Sequence, residues 1–414
     1  MKTTKPGIGK IILFSLFFFV SLPVFTQVSQ YFYTSELLEA VITEAPELNS
    51  HSVILIDAAS GALLYAKNTT EEIPPASLTK LMTMHLVMKE IEEGRAFYDE
   101  FIPITTESWA QSQPRGSSLM FLAPGQNVTL HEILLGLAIS SGNDAAAALA
   151  LRLAPTIEDF ADLMNIEARR MGLYFTRFVE ASGISELNMT TADEFAWFCR
   201  QYIMLHPNSL SDYHSVQVFA YPLEHNVADR YKRNPRTITQ NNRNHLLESF
   251  PGVDGLKTGY IEESGYNIAL TAERDGTRFI AVALKAESSR HRDRDGRTLL
   301  TWAFDNYKTV RPVIGKLENP RLWKGKENKI DVRLAYSPVF TSPLNRADNV
   351  MYECYFPEAI SAPLAERTIV GQLIMYDNLG ELHRIPLVSA RTYEKGNIFK
   401  RLWHSIRLLF LKKP

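Results

Sequence analysis

The sequence predicts an α/β sandwich, followed by a small β-rich domain and a C-terminal amphipathic helix. Three observations carry this expectation. Strand-like runs stand at both ends of residues 30–310 with a helical block between them, so first and last segments can share one sheet with helices packed on it. After Pro312 the chain changes to short β-type runs separated by turns. Residues 396–414 then repeat apolar side chains at helical spacing.

The elements follow in order. Lys2, Lys5 and Lys10 precede the apolar stretch Ile11 to Val24, broken by Pro23, which reads as an export signal over 1–29. A retained membrane anchor is the other reading of that stretch, because small residues suited to cleavage are sparse between Val24 and Ser29. Ser52 to Asp57 and Gly61 to Ala66 form an expected hairpin. Pro74 and Pro75 precede Ser77, and Leu81, Met82, Met84, Leu86 and Val87 follow, placing Ser77 in the first turn of a buried helix. Thr129 and Glu132 make a capping box that opens a further helix, and Asp144 to Ala154 reads as the next one. The strand candidates are Val253 to Leu256, Tyr266 to Leu270 and, after an Asp275-Gly276 turn, Phe279 to Leu284. The charged run Arg290 to Arg297 reads as a solvated connection before a closing helix, Thr298 to Tyr307.

Three short motifs carry the chemistry. Ser77-Leu78-Thr79-Lys80 places a hydroxyl and an amine three residues apart on one helix face, where the amine can take the serine proton. A helix N-terminus also offers unpaired N–H groups to a developing oxyanion. Alone, this spacing is better read as an ordinary N-cap serine with a surface lysine, and it is the other two motifs that reverse that reading. Ser141-Gly142-Asn143 lies in the connection between two helices, where such a tripeptide is a common turn. Lys257-Thr258-Gly259 falls on an expected edge strand beside the cleft, and small Thr258 and Gly259 let a substrate backbone approach. The trio specifies an active-site serine acyl transferase.

In this order and at these separations, S-L-T-K, S-G-N and K-T-G resemble the motifs of the serine D-Ala-D-Ala carboxypeptidases, the low-molecular-mass penicillin-binding proteins of peptidase family S11. The flanking runs Ile73 to Ser77, Ser140 to Ala145, Asn242-Arg243-Asn244, Val253 to Tyr260 and Gly265-Tyr266-Asn267 resemble that family too. The resemblance implies the transpeptidase fold shared with β-lactamases, and removal of the terminal D-alanine from peptidoglycan stem pentapeptides through an acyl-enzyme that β-lactam antibiotics also form. It implies Ser77 as nucleophile, Lys80 as general base and Ser141 as proton relay. Asn143 would orient Lys80 and bind the substrate amide, Lys257, Thr258 and Arg243 would hold the terminal carboxylate, and the N–H groups of Ser77 and Tyr260 would form the oxyanion hole beside Gly259. One departure is visible: Ile261 stands where the family usually carries Thr.

The 414 residues are 45% hydrophobic with a formal net charge of -2, enough for two cores and without a polyanion preference, so nucleic acid is not an expected partner. No metal or other cofactor is expected, since the histidines show no paired ligand spacing. Cys199 and Cys354 fall in different domains and are expected as buried thiols rather than a disulfide. Residues 311–395 carry strands at Asp331 to Ala335, Val350 to Tyr355, Thr368 to Tyr376 and His383 to Val388, resembling the β-rich domain of anchored carboxypeptidases; a spacer or protein-contact role is expected. In 396–414 the stripe Ile398, Phe399, Leu402, Trp403, Ile406, Leu409 and Phe410, with Lys400, Arg401, Arg407, Lys412 and Lys413, suits the surface of an anionic membrane, the periplasmic face of the inner membrane for an exported enzyme. The other reading is a terminal helix packed on its own domain. Two functional rivals also stay open. A β-lactamase uses the same scaffold, yet Ile184-Ser185-Glu186-Leu187-Asn188 puts Ile184 where class A enzymes carry a deacylating Glu. A non-catalytic peptidoglycan-binding protein would be marked by a damaged motif, and all three are intact.

Overall fold

The computed structural model of the chain describes residues 44–228, 232 and 234–411. The export segment expected over 1–29, residues 30–43 and residues 412–414 lie outside them. The N-terminal portion runs β1 (Ser52–Asp57), β2 (Leu63–Lys67), α1 (Lys80–Glu92), α2 (Leu130–Leu135), α3 (Asn143–Leu153), α4 (Ile157–Arg170) and α5 (Ala192–Leu205). It continues with β3 (Val218–Tyr221), β4 (Ile238–Asn241), β5 (Val253–Ile261), β6 (Gly265–Arg274), β7 (Thr277–Ala286) and α6 (Ser289–Asn306).

One antiparallel sheet in the order β2-β1-β7-β6-β5 brings the first hairpin against the last strand, with Ser52 opposite Leu284 and Asp57 opposite Phe279. Side chains alternate across a strand, and here both faces are covered. Val53 and Leu55 join Phe279, Leu299 and Leu300 beneath α6, whereas Ile54 and Ile56 join Val282, Met82 and Phe198 under the helical block. Every residue of β1 is therefore buried. The capping box forms as the sequence predicts, with the Glu132 N–H on Thr129 Oγ1 at 3.3 Å and the Thr129 N–H on Glu132 Oε2 at 2.9 Å.

The charged run is a correction. Arg290 to Arg297 is not a solvated connection but the start of α6, and the helix ends at Asn306. Arg292 and Asp295 are buried. Asp295 takes the Ser50 N–H at 2.6 Å, the Ser50 hydroxyl at 2.7 Å and the Asn49 N–H at 3.1 Å, stitching the segment before β1 to the helix. A buried carboxylate needs such donors.

Beyond α6 come β8 (Tyr307–Val310), β9 (Leu322–Trp323), β10 (Val332–Leu334), β11 (Phe340–Pro343), β12 (Met351–Tyr355), β13 (Ile360–Ser361), β14 (Ile369–Asp377), β15 (Gly380–Ser389) and the helix α7 (Ile398–Leu411). The sheet β10-β15-β14-β12 covers a core of Phe340, Leu373, Met375, Ile385 and Leu387. β8 pairs with β11, so a shared ladder joins the two portions. Asp57, at the end of β1, reinforces it by accepting the hydroxyls of Thr309 at 2.6 Å and Thr341 at 2.9 Å. Both cysteines are free; Cys199 is buried, but Cys354 is only half-buried because its strand β12 lies at the sheet edge.

Candidate active site

Ser77 lies in a 3₁₀ turn, Ala76–Thr79, and α1 proper begins at Lys80, a turn later than the sequence suggests. The cause is local. Ala76 has φ 52°, outside the helical region, and the Pro75 carbonyl takes the Leu78 N–H at 3.3 Å in a tight turn. The three-residue spacing still brings Lys80 Nζ to 3.0 Å from Ser77 Oγ.

Lys80 is buried and its amine has three neighbours: Ser77 Oγ, Asn143 Oδ1 at 2.8 Å and the Ser182 carbonyl at 2.5 Å. The last two can only accept, so Lys80 donates to both. A neutral amine has two N–H bonds and one lone pair, and with both N–H bonds so engaged the lone pair points at the Ser77 hydroxyl. Burial lowers the Lys80 pKa to about 7, opposed by Glu180 and Asp144 and assisted by Arg243. Close to neutrality the amine is then available as a base.

The second motif wraps around this amine. Asn143 starts α3 and also donates from Nδ2 to Ser117 Oγ at 3.1 Å, while its N–H reaches the Ser118 carbonyl at 2.7 Å. Ser141, two residues earlier, has φ 56° and is buried, and its hydroxyl has no hydrogen-bond partner among the described residues. Such a group is unusual in a finished core and is available to carry a proton. Asp144 accepts the N–H groups of Met120, Phe121 and Leu122 at 2.9, 2.8 and 2.9 Å, fixing the loop that bears Ser117 and Ser118.

The third motif lies on β5, the edge strand. A Cβ on Gly259 would stand 2.8 Å from the Pro75 carbonyl oxygen and 3.0 Å from the Ser77 nitrogen, so only glycine lets this strand run against the serine turn. Lys257 and Thr258 are buried. Burial, Lys80, Arg243 and Arg292 together push the Lys257 pKa well below its ordinary value, and among the described residues its amine reaches only the Thr258 carbonyl at 3.1 Å. Among the described residues no carboxylate pairs with Lys257 or Arg243. Arg243, on the exposed loop after β4, is itself lowered by burial of its guanidinium. Two basic side chains without an anionic partner beside a nucleophile describe an anion subsite, since a bound carboxylate would favour the charged form of Lys257 that burial and its cationic neighbours oppose. Tyr260 stands half-exposed beyond it, its ring 4.4 Å from that of Tyr266, its direct partner across the hairpin.

The structure therefore gathers Ser77, Lys80 and Asn143 by direct contact. Ser141 is tied to them through the chain, Gly259 through packing, and Lys257 and Arg243 through charge. Thr258 and Tyr260 flank the same stretch of β5. Sequence reasoning missed Glu180, Ser182, Asp144, Ser117 and Arg292. Asp144 alone carried a signal, an acid directly after the S-G-N motif in a first helical turn.

Residues 39–288 match the family model for D-alanyl-D-alanine carboxypeptidase, peptidase S11. The chain is similar to D-alanyl-D-alanine carboxypeptidase DacC of Escherichia coli strain K12, 31% identical over 379 residues, 89% of this chain and 90% of the relative. Among solved structures it is similar to penicillin binding protein 5 from Haemophilus influenzae, 25% identical with a TM-score of 0.76 over 85% of this chain and 100% of that one. It also resembles penicillin-binding protein D2 from Listeria monocytogenes in the ampicillin-bound form, 27% identical with a TM-score of 0.54 over 63% of this chain and 100% of that one.

Proposed function

Because the chain belongs to the peptidase S11 family of D-alanyl-D-alanine carboxypeptidases, we propose that Ser77 is the nucleophile by which it acts on peptidoglycan. It is a serine D,D-carboxypeptidase of cell-wall metabolism. The observation that carries the assignment of Ser77 is the partner set of Lys80, whose two acceptors leave its lone pair facing that hydroxyl. Lys80 takes the Ser77 proton as Oγ attacks the carbonyl of the penultimate D-alanine in a stem pentapeptide. The N–H groups of Ser77 and Tyr260 hold the oxyanion. Ser141 passes a proton to the departing amine, and water then cleaves the acyl-enzyme with Lys80 again as base. Asn143 holds Lys80 through Oδ1 and, with one N–H of Nδ2 on Ser117 Oγ, offers the other to the substrate amide carbonyl. β-Lactams acylate the same serine and remain attached long enough to be seen. A fluorescent penicillin should label the protein on the peptide containing Ser77, identified by mass spectrometry; label on any other residue sinks the assignment.

Lys257, Thr258 and Arg243 bind the free terminal carboxylate in this reading. Converting that carboxylate to an amide leaves the cations without an anion and should cost on the order of 2–3 kcal/mol in transition-state binding. The comparison is kcat/KM for an acyl-D-Ala-D-Ala peptide and its amide. Equal values would remove the cations from substrate recognition.

Residues 30–310 act as the catalytic domain and 311–395 as a spacer, with the tail as a peripheral anchor at the periplasmic face of the inner membrane. In support, Phe399 is 81%, Trp403 59% and Phe410 77% exposed. On the other side His404 is buried, packs on Trp323 and accepts the Lys324 N–H at 2.7 Å. The helix thus docks by its polar side and turns the apolar stripe outward. Among the described residues no helix is long and apolar enough to cross a membrane. Deleting 396–414 should move the protein to the soluble fraction with peptidase activity on small peptides unchanged. Continued sedimentation of the signal-processed truncated protein with membranes would place the anchor elsewhere.

A further inference from the structure

We propose that Glu180 is a positioning residue for Lys80: its carboxylate fixes the carbonyl on which the Lys80 amine rests and thereby sets the pH at which Ser77 is activated. This rests on the assignment of Ser77 and Lys80 above. Glu180 Oε2 accepts the N–H and the hydroxyl of Ser182, both at 2.6 Å. Its Oε1 accepts the Gly183 N–H at 2.6 Å and Asn188 Nδ2 at 2.8 Å. The carbonyls of the same peptide units point the other way, onto α1. The Ala181 carbonyl takes the Thr83 hydroxyl at 2.7 Å and the Ser182 carbonyl takes Lys80 Nζ at 2.5 Å. Thr83 and Lys80 are three residues apart and share one helix face.

Two consecutive peptide units are therefore clamped between a carboxylate and the helix that carries the base. In the second, Ser182–Gly183, one end donates to Glu180 while the other accepts from Lys80, so the negative charge reaches the amine through an aligned dipole. The loop cannot slide. Asn188 holds it to Thr79 Oγ1 at 3.3 Å and to the Val179 N–H at 2.7 Å.

Among the described residues, the charged groups around Lys80 are Glu180 from this loop, Asp144 from α3, Arg243 from the loop after β4 and Lys257 from β5. Of the two carboxylates, Glu180 favours protonated Lys80 more strongly. Both of its oxygens are occupied by donors, so it holds no free position for activating water. It acts through Lys80.

The sign follows. Lys80 works as a base when neutral, so kcat/KM rises with pH through the Lys80 pKa. Removing the Glu180 charge makes the amine easier to deprotonate and moves that acid limb to lower pH. Glu180→Gln should shift it by about one unit. It should also lower the limiting kcat/KM by at least about tenfold, because a glutamine sets an N–H against the loop donors. Glu180→Asp should give a smaller shift in the same direction. Asn188→Ala loosens the same loop without changing charge and should lower the rate with the limb unmoved. The measurement is the pH profile of D-alanine release for wild type and the three variants. A limb at the wild-type position in Glu180→Gln overturns the proposal, as does an equal shift in Asn188→Ala. If Glu180→Gln does not fold, Glu180→Asp decides: a displaced limb supports the proposal and an unmoved one overturns it. Penicillin label that survives Ser77→Ala would instead overturn the nucleophile assignment, and this inference with it.

Discussion

Ser77→Ala and Lys80→Ala each lower D-alanine release from an acyl-D-Ala-D-Ala peptide by at least about 10⁴-fold, and the double variant is little worse than either one. In the proposed mechanism the two side chains, 3.0 Å apart, share one proton transfer. Without the hydroxyl, the amine has no proton to take that leads to an acyl-enzyme; without the amine, the hydroxyl stays a weak nucleophile. Effects of residues that act as a unit do not add. The fold should survive both changes. Ser77 is half-buried in its turn, and its side chain contributes one hydrogen bond worth roughly 1 kcal/mol. Lys80→Ala removes a buried amine together with its desolvation cost, although Asn143 Oδ1 and the Ser182 carbonyl lose a donor. A free D-alanine assay beside circular dichroism separates activity from folding. Wild-type release by either folded variant would eliminate the mechanism.

The capping box and the Ser77–Lys80 contact were legible because each depends on local spacing, and the individual strands because of alternation along each one. That the first and last strands pair, with Lys257 on the edge, followed from the strand–helix–strand order and the family resemblance. What escaped depends on partners far away in sequence. Asp295 looks like one more charge in a polar run until Asn49 and Ser50, some 245 residues away, fold against it. The strands β8, β9, β11 and β13 have two to four residues, too few for alternation to show, and exist through their ladder partners. Glu180 is the same case inside the site: Glu-Ala-Ser-Gly is an ordinary polar turn in sequence. Its proposed role emerges only when Thr83 and Lys80 present a row of donors to the carbonyls of Ala181 and Ser182.

Gly183→Ala tests how closely that turn must approach the nucleophile. Gly183 has φ 81°, and a Cβ there would stand 1.8 Å from the Ala76 carbonyl oxygen and 2.9 Å from Thr79 Oγ1. Backbone on backbone cannot yield as a flexible side chain does, so the loop must retreat by more than about an ångström to reach ordinary contact. That retreat takes the Ser182 carbonyl away from Lys80 and loosens the turn holding Ser77. Misplacement on that scale costs about 10²-fold in rate. The left-handed backbone alone adds about 1–2 kcal/mol of instability for any residue with a side chain. Gly172→Ala separates the two effects, because Gly172 has φ 82° but nothing within 4 Å of its added Cβ. It should lose stability by that conformational amount and keep wild-type acylation by a fluorescent penicillin. Gly183→Ala should lose both, seen in thermal melts and in the acylation rate constant. If Gly183→Ala acylates like Gly172→Ala, contact between this loop and the serine turn does not govern the reactivity of Ser77.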